Sequence, residues 1–176
     1  ADVNIADGQS SGTLVVDGLN SVLSSTTPFA SSWGTNSGNT AVATFSNSAS
    51  GTFSGLGLAV LGGAATLNIL NSAQLTLGSL AAGGSPGSAT ININGGTLNS
   101  TGGAGLAGNS FVNYQSGSFN ATGGITTSNT ASISVASGAV VRTGGLTMND
   151  TSLINLNGGL IDHYTGGTPI STIRGY

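Results

Sequence analysis

Apolar residues in this chain alternate with polar ones at strand spacing, and the alternation is itself periodic. Four segments align without a gap, starting at Ala89, Ser110, Ala131 and Ser152. Their first apolar anchors, Ile91, Val112, Ile133 and Ile154, are evenly spaced. Within each segment a second apolar residue follows at i+2, which places both side chains on one face of a strand. A glycine comes at i+5 (Gly96, Gly117, Gly138, Gly159) and a third apolar residue at i+7 (Leu98, Phe119, Val140, Ile161). Thr-Gly-Gly then recurs at Thr101, Thr122 and Thr143, and is displaced to Thr165 in the last unit, while Ile125 and Leu146 open a third short strand.

A period of about 21 residues is the mark of a solenoid, because one unit cannot bury its own apolar face and stacked units can. Three short strands joined by glycine corners bring the chain back to its starting point one strand spacing higher. The predicted fold is all-β: a parallel β-helix of about seven turns of about 21 residues, with three short strands per turn, forming a rod roughly 34 Å long. The anchors expected backward from the regular units are Leu67, Phe45 and Leu14, with Leu75 and Phe53 as later anchors. A single solenoid domain thus covers 1–176. Residues 1–12 form an N-terminal cap, 24–40 a loop leaving the solenoid, 41–165 the regular turns and 166–176 an open C-terminal end. Phe29 and Trp33, in the loop, are expected to cover one end or edge of the core. An antiparallel sandwich would also use short strands and glycine turns, but its strands need not repeat in sequence.

Composition narrows the function. Only 4% of residues are charged, with five Asp, two Arg and one His as the whole ionisable set apart from Tyr. Two Arg make no phosphate-tracking groove, so no nucleic-acid partner is expected, and no segment is apolar enough to insert in a membrane as a helix. The chain has no Cys, which removes disulfides and thiolate metal sites. Absent Cys and Lys suit a secreted or cell-surface bacterial protein, and a start at Ala1-Asp2 fits removal of a signal peptide.

The runs Gly12-Thr-Leu-Val-Val-Asp-Gly18 and Ile91-Asn-Ile-Asn-Gly-Gly-Thr-Leu98, with the recurring Thr-Gly-Gly, resemble the β-strand repeats of bacterial autotransporter passenger domains and of large secreted proteins with PEP-CTERM or dockerin tails. The closing run from Asp162 to Arg174 resembles a segment that follows such repeats. The resemblance covers most of the chain from residue 12, and it implies a right-handed parallel β-helix at or outside the cell surface.

Candidate chemistry is sparse. Parallel β-helices host polysaccharide-active enzymes that depend on clustered carboxylates. Here only Asp150 and Asp162 share a turn, at a spacing that puts them on different faces. His163 alone makes no metal site, a Ser-His-Asp triad is read as lacking a Gly-x-Ser-x-Gly nucleophile elbow, and no catalytic, cofactor or metal residue is assigned. The repeat register stacks Arg142 under His163, beside Asp162. Asn99, Asn120 and Asn149 head Asn-x-Ser/Thr sequons, read here as coincidence in an Asn-rich chain. The outward positions of the first strand give a candidate binding face for an extracellular glycan or for ice: Thr44, Thr66, Asn68, Thr90, Asn92 and Asn113. Phe111 and Leu153 interrupt it.

Solenoid ends are exposed sheet edges, and Ser171–Tyr176 reads as the start of another turn. Either the chain continues or copies join head to tail, an arrangement that does not close and yields filaments. Val3, Ile5, Ile170, Ile173 and Tyr176 are the candidate assembly residues. The expected function is a non-enzymatic extracellular structural protein that assembles with itself end to end. An adhesin, glycan-binding or ice-binding module comes second and a polysaccharide-active enzyme last.

Overall fold

The computed structural model describes residues 2–6, 8, 10–27, 30–165 and 168–174, the last group and Thr165 as backbone only. Every described element is a strand. The strands stack in parallel, turn upon turn, into a three-faced β-solenoid.

The first face is built by β1 (Ser11–Asp17), β4 (Thr40–Ser46), β7 (Ala64–Leu70), the first halves of β10 (Ser88–Ser100) and β12 (Phe111–Ala121), β14 (Ser132–Val135) and β17 (Leu153–Leu156). The second face holds β2 (Val22–Ser25), β5 (Ser50–Phe53), β8 (Gln74–Leu77), the second halves of β10 and β12, β15 (Val140–Thr143) and β18 (Leu160–Thr165). The third holds β3 (Ser31–Trp33), β6 (Leu56–Leu58), β9 (Leu80–Ala82), β11 (Ala104–Leu106), β13 (Ile125–Thr127) and β16 (Leu146–Met148). Two faces thus carry seven strands and the third six, preceded on the third by the isolated Ile5–Trp33 bridge. The described strands make about six turns, against about seven expected.

The anchor ladder runs Leu14, Ala43, Leu67, Ile91, Val112, Ile133, Ile154. Its later members are as read from the repeat; the early ones are not. Ala43, not Phe45, stands level with Leu67, and Phe45 stands level with Ile69. Likewise Phe53 pairs with Leu77, and Gly51 with Leu75. The cause is core volume. Trp33, Phe45 and Phe53 fill the interior of the early turns, with Trp33 edge-on to Phe53 at 5.6 Å and Phe45 edge-on to Phe53 at 6.5 Å. The inward neighbours Ala41, Ala43 and Ala65 are small to make room. Reading large residues as anchors therefore slips by two positions.

The segment 24–40 is not a loop leaving the solenoid. It contains the end of β2, all of β3 and the corner leading into β4, and Ser31–Trp33 pairs in register with Leu56–Leu58. The step from Leu14 to Ala43 is longer than the step from Ala43 to Leu67, and the extra length is spread over all three corners. Most of it lies between Ser25 and Ser31, whose equivalents Phe53 and Leu56 are separated only by Ser54 and Gly55. Trp33 is 1% exposed and belongs to the core, its indole N–H donating to the Val3 carbonyl at 2.8 Å. Pro28 and Phe29 lie outside the described residues. Later turns are shorter, and they shorten at the third corner, where the path from Ala82 to Thr90 becomes the tighter one from Leu106 to Phe111.

The Thr-Gly-Gly repeat has a steric origin. Gly78, Gly102, Gly123 and Gly144 stack in one column, and a Cβ on each would lie 2.0–2.5 Å from backbone of the turn before it. At the first corner the early turns use Asn47-Ser48 and Asn71-Ser72, all at positive φ, where later turns use Gly95, Gly117 and Gly138. Asn tolerates the left-handed region because its short amide bonds locally.

The C-terminal end departs from expectation. Thr168–Arg174 forms β19, which pairs antiparallel with β18, Leu160 against Arg174 and Thr165 against Thr168. It does not start another turn; it turns back and covers the outer edge of the second face.

Candidate functional site

Outward side chains of the first face form two ranks along the rod. One reads Thr13, Val42, Thr66, Thr90, Phe111, Ser132, Leu153; the other reads Val15, Thr44, Asn68, Asn92, Asn113, Ser134, Asn155. Thr44 therefore belongs with Asn68, not with Thr66, and Val42 interrupts the threonine rank beside Phe111 and Leu153. The same two-position slip explains the change.

Stacked amides one rung apart bond to each other. Asn68 Nδ2 donates to Thr44 Oγ1 at 3.1 Å and Asn92 Nδ2 to Asn68 Oδ1 at 2.9 Å. The ladder stops there: Asn113 makes no side-chain hydrogen bond among the described residues. At the first corner Asn71 Nδ2 donates to Asn47 Oδ1 at 3.3 Å, and Asn47 Nδ2 to Asp17 Oδ1 at 2.8 Å, where Ser46 Oγ also donates at 2.6 Å. These donors hold the Asp17 carboxyl below its ordinary value, Ser46 first and Asn47 second.

On the second face the outward rank reads Ser24, Thr52, Thr76, Asn99, Asn120, Arg142, Asp162. Arg142 stands level with Asp162, and His163 with Thr143, one position away from the expected stacking. The cause is the corner after β14, which is one position longer than the equivalent corners of the turns before and after it. As a result Val141, in place of Val140, fills the core between Phe119 and Ile161. Two sequon asparagines are ladder members: Asn120 Nδ2 donates to Asn99 Oδ1 at 2.7 Å, and the Asn120 Oδ1 is buried without a partner. Asn149 is exposed at the third corner, its N–H bonded to the Thr127 carbonyl.

The two carboxylates of the last turn have separate surroundings. Asp150 sits in the third corner at φ 57°, its Oδ2 accepting from the Asn129 N–H at 2.9 Å. Asp162 is on the second face. His163 Nε2 lies 2.9 Å from the Gly144 carbonyl oxygen. Against the reading that the chain has no Gly-x-Ser-x-Gly motif, Gly83-Gly84-Ser85-Pro86-Gly87 spells that pattern. It forms the corner from β9 to β10, between two strands, whereas a nucleophile elbow joins a strand to a helix. Tyr114, fully buried, donates its hydroxyl toward the Gly117 carbonyl at 2.6 Å and the Val140 carbonyl at 3.1 Å, and burial raises the phenol above its ordinary value.

The candidate assembly residues separate. Val3 is half-buried, while Ile5 is 8% exposed and packs in the core as a third-face rung beside Trp33. Ile170 and Ile173 lie on β19, whose side chains are outside the description, and Tyr176 lies outside the described residues. Other residues mark the ends more plainly. Inward side chains of the middle turns are almost fully buried, whereas Leu14 and Leu23 at one end, and Leu146, Ile154 and Leu156 at the other, are only partly covered. Around them stand exposed Val15, Leu19 and Val22 on the first turn and Met148 and Leu153 on the last. Comparison with protein-family models, with curated proteins and with solved structures finds no match for this chain.

Proposed function

We propose that this chain is a non-enzymatic structural protein outside the cell, a stiff rod that joins end to end with copies of itself. One observation carries the reading: apolar surface is concentrated at the two ends. Among the described residues, five of the seven large exposed apolar side chains lie in the first and last turns, ringing core positions that are themselves incompletely covered. Contiguous apolar rims of this kind mark contact surfaces. Among the described residues, the edges of β1 and β17 are both unpaired on their outer sides, and both belong to the first face. The same holds on the third face, where β16 is the last rung and the residues around Ile5 the first. Strands of one copy continue those of the next in parallel on these two faces, while β19 occupies the second.

Electron microscopy and sedimentation over a concentration series test the reading. Filaments with an axial repeat near one rod length, roughly 34 Å for seven rungs, are expected. Leu19→Asp with Val22→Asp removes them without altering the fold, since both side chains point outward. A monomer at every concentration refutes the proposal.

A further inference from the structure

Strand β12 breaks the regularity of the first face in three ways, all on its outward side. At rung five the rank that holds Thr66 and Thr90 before it and Ser132 after it holds a phenylalanine, Phe111, 38% exposed. The core does not demand it, because Val112 and Tyr114 fill the inward side of the same strand completely. Two positions on, the amide ladder that bonds Thr44, Asn68 and Asn92 fails to continue to Asn113, although Asn92 and Asn113 are level neighbours. Two positions further, the register against β10 shifts by one, Ile93 pairing with Tyr114 and Asn94 with Ser116, before Gly96 and Gly117 restore it, and Gln115 is left unpaired and exposed. Bulges re-aim side chains and gather beside functional sites.

From these we infer that the outward side of β12, centred on Phe111, Asn113 and Gln115, is a binding site for a neutral polysaccharide. Alternate residues on a strand stand about 7 Å apart, close to the span of one pyranose with its substituents. The Phe111 ring offers a flat apolar surface to the C–H face of the sugar. The Asn113 amide has donors and an acceptor unspent within the protein, and Gln115 adds a second amide beyond it. Outward positions of β7, β10, β12 and β14 carry no formal charge, so the surface has nothing with which to select an acidic or sulfated polymer. The neighbouring rungs present Thr90 and Ser132, small enough to leave the ring approachable from both sides. The site lies in the middle of the rod and does not depend on joining at its ends.

Native gel electrophoresis through gels containing dextran, mannan or a soluble β-glucan tests this, with polygalacturonate as the acidic comparison. Retardation by at least one neutral polymer is expected. Phe111→Ser, which restores the residue of the next rung, and Asn113→Ser each weaken apparent affinity by about tenfold, with the unfolding midpoint unchanged. Val42→Thr, on the same rank three rungs away, leaves retardation intact. The inference is overturned if no neutral polymer retards the protein, if only polygalacturonate does, or if Phe111→Ser binds as the parent does.

Discussion

Replacing Gly123 by alanine places a Cβ 2.5 Å from the Gly102 carbonyl carbon, 2.7 Å from its oxygen and 2.7 Å from the Gly103 nitrogen. Ordinary contact begins at 3.4 Å, so the turns must separate by 0.9 Å locally, the difference between 3.4 and 2.5. They are not free to do so. Thr122 N–H bonds the Ser100 carbonyl at 2.9 Å, and Ala104 N–H bonds the Gly124 carbonyl at 2.9 Å, one on each side of the glycine. Stretching either by that amount breaks it. Two lost backbone bonds at about 1 kcal/mol each, with overpacking strain of about 1–2 kcal/mol, give roughly 3–4 kcal/mol. For a chain of this length that is a fall in Tm of roughly 6–16 °C. Gly145 supplies the control from the same motif: nothing lies within 4 Å of its added Cβ, and its φ is not left-handed. Gly145→Ala is therefore neutral or slightly stabilising, by up to about 1 kcal/mol. Circular dichroism and the fluorescence of the buried Trp33 follow both melts. The steric account fails if Gly123→Ala melts with the parent, or if Gly145→Ala falls as far.

Tyr114→Phe keeps the ring and removes the hydroxyl that serves the Gly117 and Val140 carbonyls; denaturant unfolding should show a loss of about 1–2 kcal/mol. Because the folded phenol is raised above 10.0, its contribution is intact below that pH and is lost as the pH climbs through the folded value; the alkaline fall in stability should be smaller in the Phe variant. Asp17 works in the opposite sense. Its folded carboxyl is held below 3.8, so its contribution is present above 3.8 and disappears as the pH falls through the lowered value. Acid titration of unfolding should be flatter in Asp17→Asn. Truncation after Tyr164 removes β19 and bares the outer edge of β18, and light scattering should record assembly at lower protein concentration than for the whole chain.

The later half of the solenoid was legible because its turns are of equal length. Ile91, Val112, Ile133 and Ile154 keep step as long as each turn spends the same total length of chain, however its bends divide it. The earlier half hides its register for two physical reasons. Its core is filled by a few large rings with alanines between them, so the strongest apolar residue is not the equivalent one. Its first corners also reach the left-handed region with Asn-Ser pairs, which removes the glycine that marks the bend elsewhere. Single-position adjustments, such as the lengthened corner before Val140, move Arg142 from His163 to Asp162 without leaving a trace in composition. The antiparallel return of β19 carries no repeat signature, since pairing in that direction aligns residues that have no counterparts one turn back. Of the candidate face, the outward polarity was readable from alternation alone. The end of the amide ladder at Asn113 and the unpaired Gln115 depend on side-chain bonds and on a local register shift, and neither can be read from spacing.

The scarcity of charge follows from the same register. Parallel stacking sets each outward residue about 4.8 Å from its equivalent in the next turn. Like unit charges at that distance repel by about 1 kcal/mol in water, and by several kcal/mol beside a protein surface. A repeated charged position would add that cost at every rung. Asn, Ser and Thr escape it, because a neutral amide or hydroxyl donates to one neighbour and accepts from the other, as Asn92, Asn68 and Thr44 do. The exceptions obey the same constraint. Arg142 and Asp162 occupy adjacent rungs with opposite sign, and Asp17 and Asp150 each face a neutral donor on the neighbouring turn, Asn47 and Asn129. The composition is thus a consequence of stacking rather than independent evidence of where the protein works. The exposed apolar residues of the first and last turns, Val15, Leu19, Val22, Met148 and Leu153, fall outside this rule, and the proposed assembly rests on them.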